Sequence, residues 1–202
     1  MKPLILGITV AVVLVTSVGC APDSPPSGSG SVAHHPEPTQ FDELSFEQGA
    51  ELDASLRPAF ETTLLADEQW ELSPDDDPTD GLNVLWHSPT ACRVVLYQAS
   101  TDGLNWDLSS DEMASRRAIE DYILNILAEA PGDVPIYASG IAEAVTFAAI
   151  RRSSDNDLVL ARAFASIGVY LMLTVTCPVG TDPVTFYTDE VYEKVAVTLD
   201  ES

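Results

Sequence analysis

Few side chains in this chain combine a reactive type with a useful spacing. Beyond residue 40 there is one histidine, His87, next to Trp86. As a catalytic base it needs a nucleophile and an orienting acid delivered by the fold. At the end of an expected strand, a packed or surface histidine is the simpler reading. Carboxylates cannot single out an acid–base site, because 32 Asp and Glu are spread over 202 residues. Four aspartates crowd residues 75–80, which raises calcium binding. Counted from Asp76, the third position is Pro78 and the twelfth is His87 rather than Glu, so the EF-hand spacing fails. Aspartates next to Pro and Gly are ordinary turn residues. His34 and His35 lack a third ligand. No G-x-S-x-G elbow, phosphate loop, H-E-x-x-H or C-x-x-C motif occurs. No catalytic residue, metal or cofactor is therefore expected. Trp70, Trp86 and Trp106, with His87, are the residues that could line a ligand pocket. Core packing is the competing use of the tryptophans.

The cysteines carry a different chemistry. Lys2 opens the chain, and an apolar run from Leu4 to Val15 follows, diluted by Gly7 and Thr9. Thr16, Ser17, Val18 and Gly19 are small, and Cys20 ends the stretch. This is the layout of a secretory signal. The run is shorter than the roughly 20 residues of a membrane span. Ser17 and Gly19 also suit an ordinary cleaved signal, with Cys20 incidental. The segment Ser17-Val18-Gly19-Cys20 resembles the signal of a bacterial lipoprotein, although Ser17 stands where Leu is usual. The resemblance implies a signal peptide over residues 1–19 and cleavage before Cys20. It further implies a diacylglycerol thioether (palmitate or a similar acyl chain) that anchors Cys20 to the cell membrane outside the cytoplasm. If Cys20 carries lipid, Cys92 and Cys177 remain as a pair in an oxidising compartment. A bridge between them would add roughly 4 to 5 kcal/mol by loop entropy. Two buried free thiols are the alternative.

Residues 20–40 follow as Cys20 and a Pro/Ser/Gly tether. Val32 is its one aliphatic residue larger than alanine, so it cannot bury enough to offset its ordering entropy. Residues 41–202 have the length of one domain. The formal net charge is −23, and Lys194 is the one lysine after the signal. Such acidity repels phosphates, which argues against nucleic acid and against docking on anionic headgroups through the domain itself. A partner would be neutral or basic, and the chain is expected to be a monomer.

The elements that must position these residues follow from periodicity. Leu52, Leu56, Phe60 and Leu64 recur every four residues, so residues 41–65 read as a helix kinked at Pro58, with Ser45 and Gln48 as a capping box. Short strands are expected at 69–73, 82–87 and 92–100. Ser109 with Glu112 reads as a second capping box. It opens a helix with Met113, Ile119, Ile123, Ile126, Leu127 and Ala130 on its inner face, stopped by Pro131-Gly132. Residues 141–151, 157–165 and 169–177 read as a three-strand meander. Ala161, Ala163 and Ala165 make a row that would let a helix approach closely. Asp182 caps a final helix with Pro183 in its first turn and Val184, Val191, Val195 and Leu199 inside. The expected class is α+β, an antiparallel sheet flanked by helices in an α/β/α sandwich-like domain. The element order is similar to the Mog1/PsbP-like fold of some actinobacterial lipoproteins.

The expected function is a non-catalytic, lipid-anchored envelope protein that binds a protein partner or an amphiphilic ligand. An envelope hydrolase built around His87 is one alternative. A secreted soluble domain with a calcium-binding 75–80 loop is the other.

Overall fold

A computed structural model describes residues 41–74, 76, 82–123, 129–139 and 142–201. The expected signal, Cys20, His34 and His35, the tether, Ile126 and Leu127, and all of the 75–80 loop except Asp76 lie outside the described residues.

The described chain is β-rich. Strand β1 (Phe41–Leu44), helix α1 (Phe46–Gly49), strands β2 (Leu56–Thr62), β3 (Trp70–Leu72), β4 (Leu82–His87) and β5 (Cys92–Ser100), and helix α2 (Asp111–Ile123) form the first half. Strands β6 (Glu129–Ser139), β7 (Ala142–Arg152), β8 (Asp157–Phe164) and β9 (Val169–Thr176), helix α3 (Pro183–Phe186) and strand β10 (Val195–Glu201) form the second. All ten strands join one sheet in the order β2-β10-β6-β7-β8-β9-β5-β4-β3, with β1 on β7. Pairing is antiparallel except for the parallel pairs β1–β7 and β10–β6. The sheet curls. Phe60 of edge strand β2 stacks on Phe147 of β7 with ring centroids 6.1 Å apart, and it shares a hollow with Leu96 of β5.

This corrects the sandwich expectation. Helix α2, 13 residues long, packs on one face of the sheet, while α1 and α3 are single turns of four residues. The result is a curled mixed sheet rather than a sheet layered between helices. Residues 41–65 are not a helix. They form β1, α1, β2 and a 3-10 turn at Leu64–Ala66. The Ser45–Gln48 capping box does form, but it caps only α1. Likewise α3 starts at Asp182 and Pro183 as read, yet the chain leaves it through π and 3-10 turns and enters β10. Strand β6 was not expected. It carries Pro131 and Gly132 at a register shift between Glu129 and Gly132, and Gly132 has φ +97°, which favours glycine. The cap of α2 is Ser110, whose Oγ accepts from Met113 N at 3.4 Å, so the expected Ser109–Glu112 box does not form. Met113 is 47% exposed and does not belong to the inner face.

Two apolar layers result. Inside the curl, Leu85, Val94, Leu96, Phe147, Leu171, Leu173 and Val197 are buried together. On the other face, Ala118, Ile119 and Ile123 of α2 pack on Ala148, Val159, Ala161 and Met172. The alanine row works as expected: Ala161 and Ala163 are fully buried, and Ser115 Oγ of α2 accepts from Ala163 N at 2.7 Å. Cys92 and Cys177 are bonded across the ends of β5 and β9, 85 residues apart in sequence with Cα atoms 4.3 Å apart. The register Arg93↔Thr176 puts them next in line as an opposed pair.

One charge sits inside this framework. Strand β7 pairs with β1 through Val145 and with β8 from Ala148 onward, leaving Thr146 at a fork. Arg162 fills the fork. Its Nη1 donates to Thr146 O at 3.1 Å, and its Nη2 donates to Ser45 O at 2.9 Å and to Asp111 Oδ2 at 3.1 Å. Asp111 Oδ1 also accepts from Ala165 N at 2.8 Å. The guanidinium lies 4.5 Å from the Phe46 ring and 5.1 Å from the Phe164 ring. Gly49 is needed beside it, because a Cβ there would collide with Arg162 Nη2.

Candidate functional site

Alternation in the strands builds the site. Across the β5–β9 pair, Tyr97 faces Met172 and Ala99 faces Tyr170. Tyr97, Val95, Met172, Thr174 and Tyr170 therefore share one face. Helix α2 covers only part of that face. The segment after β5 returns over it with Leu104 and Trp106. Between helix, segment and sheet lies a groove of about 390 Å³, within the range of small-molecule sites, roughly 300–1,000 Å³.

The walls of the groove are aromatic. The Trp106 and Tyr170 rings meet edge-on at 5.0 Å, and Tyr97 and Tyr170 do so at 5.7 Å. Tyr122 and Asp121 of α2 form the rim. Trp106 Nε1 donates to Asp121 Oδ2 at 2.7 Å, which ties the covering segment to the helix. Arg117 Nη2 lies 2.7 Å from Asp121 Oδ1. The Arg152 guanidinium sits 5.6 Å from the centre of the Tyr122 ring. Burial, with help from a hydrogen bond to Tyr97, raises the Tyr170 phenol above its usual range, so it stays neutral. Among the described residues the lining holds one charged group, Asp121, and no His, Cys or Lys. Such a surface can bind and orient a ligand through apolar and π contacts.

The four residues expected to line a pocket separate. Trp106 lines the groove. Trp70 is buried against His87 at 4.8 Å and Phe186 at 5.9 Å. His87 is 3% exposed, and its Nδ1 is 2.8 Å from Thr90 Oγ1. Its Nε2 has no partner among the described residues, and burial holds its pKa below the usual 6.5. Trp86 lies opposite Arg93, beside a different hollow with Glu71 and Leu72. From the acidic loop, Asp76 is described, and its Oδ1 accepts from Val84 N at 2.7 Å. Among the described residues no group of three or more His, Cys, Asp or Glu is placed to hold a metal, and no helix is long and apolar enough to cross a membrane.

Sequence reasoning missed Tyr97, Tyr122, Tyr170 and Asp121. One signal was present: Tyr170, Met172, Thr174 and Thr176 alternate along the last strand of the meander, so its second face is also apolar. No family model matches this chain, and no curated protein matches it either.

Proposed function

We propose that this is a lipid-anchored envelope protein, held outside the cytoplasm through Cys20, that binds an amphiphilic ligand and performs no catalysis. The observation that carries the ligand part is the aromatic groove, whose lining is almost wholly apolar with a single carboxylate at the rim. The lipobox-like Ser17-Val18-Gly19-Cys20 carries the anchoring part. The bonded pair Cys92–Cys177 supports an oxidising compartment. A formal charge of −23 supports a domain that stays off anionic surfaces and nucleic acid. The packing of His87 between Trp70 and Phe186 speaks against the hydrolase alternative.

The anchoring is tested by expressing the full chain in a bacterium that processes lipoproteins. Intact mass should show two or three acyl chains on Cys20 and loss of residues 1–19, with the protein in the membrane fraction. Cys20→Ala should move it to the soluble fraction. An unacylated wild-type chain in the soluble fraction would overturn this reading.

A further inference from the structure

We infer that the groove selects amphiphiles with a positively charged head, an ammonium or quaternary ammonium group. The inference rests on the groove being a ligand site at all, and it adds the chemistry of the head. Four aromatic rings converge there, from β5 (Tyr97), β9 (Tyr170), the covering segment (Trp106) and α2 (Tyr122). Ring faces attract cations, most strongly when water is excluded. The same contact exists at the rim, where Arg152 sits 5.6 Å over Tyr122 and occupies one face of that ring, so Tyr97, Tyr170 and Trp106 are the rings left for the head of a ligand. The charged group in the lining is the Asp121 carboxylate, whose side chain is 44% exposed. Its bonds to Trp106 Nε1 and Arg117 occupy one site on each oxygen, and each oxygen retains a further lone pair. The Arg117 contact is an exposed ion pair, a weak one that a bound cation can replace. An anionic head would face Asp121 with no Lys or Arg in the lining and the field of a chain with net charge −23 behind it. The apolar part of the ligand would lie on Val95 and Met172.

The test compares three eight-carbon amphiphiles by isothermal titration into the full chain, each below its critical micelle concentration: octyltrimethylammonium, octyl glucoside and octyl sulfate. Salt of about 0.3 M, with a Debye length of roughly 6 Å, suppresses attraction to the surface at large. We expect octyltrimethylammonium to bind about tenfold more tightly than octyl sulfate, and Asp121→Asn to weaken octyltrimethylammonium roughly fivefold, a larger loss than for octyl glucoside. The Asn side chain can still accept from Trp106 Nε1, so the covering segment stays in place. Equal affinity for all three heads, or no effect of Asp121→Asn, would overturn the head preference. In that case the groove remains a ligand site provided Trp106→Ala abolishes octyl glucoside binding. If none of the three binds, the ligand part of the proposed function falls as well.

Discussion

Arg162 and Asp111 form an ion pair with both side chains fully buried. Burial lowers the Arg162 pKa to about 10 and raises that of Asp111, so for each group desolvation outweighs the partner's charge. The pair therefore adds little net stability. It fixes geometry, satisfying the Thr146 and Ser45 carbonyls where β1 and β8 part from β7. Removing one partner is costly, because it strands the other charge. Asp111→Asn should lower unfolding free energy by about 3–5 kcal/mol in urea titration. Glu120→Gln, which breaks an exposed contact with Arg117, should change it by less than about 0.5 kcal/mol. Similar losses in the two variants would refute this account. None of it was legible in the sequence. Arg162 reads as an ordinary outward residue between alanines, and Asp111 as one carboxylate among 32. What singles them out is a fork in the sheet that no local pattern announces.

At the scale of elements, strands with tight turns were legible and those far from their partners were not. Strands β4 and β5 have the expected limits, and β7, β8 and β9 lie within one residue of them. Each is bounded by turn residues, such as Asn156 (φ 55°) and Gly168 (φ 78°). The errors share one cause. Leu52, Leu56, Phe60 and Leu64, like Val191, Val195 and Leu199, recur every fourth residue. A spacing of four suits a helix, but as an even number it also suits one face of a strand. Val195, Val197 and Leu199, all buried in β10, show the period of two that decides the matter. Pro58 is at home in β2 because that strand lies at the sheet edge. The alanine row sets how closely α2 approaches the sheet. Ala161 is fully buried under α2, so Ala161→Leu should force the helix outward and cost roughly 1–3 kcal/mol. Thermal unfolding by circular dichroism measures it. An unchanged midpoint would mean that the helix does not depend on close approach.

For the whole molecule, the disulfide joins chain segments 85 residues apart, and β4, β6, β7, β8 and α2 all have to be arranged with reference to that clasp or within its loop. Cys92→Ser with Cys177→Ser should reduce stability by about 2–5 kcal/mol, read as a lower melting temperature that added reductant lowers no further. A double variant as stable as the oxidised wild type would show that the curl needs no clasp. This pairing was expected from the residues once Cys20 is set aside for lipid, because Cys92 and Cys177 are then the two cysteines left. The curl was not legible, since it depends on β2 and β10 joining from opposite ends of the domain.

The strand order terminates at β2, which holds Pro58 and the exposed Arg57 and Glu61, and at β3, which is three residues long. A proline offers no amide to a neighbour, and three residues make a poor template. At these two ends, neighbouring copies therefore have little means of extending one another's sheets.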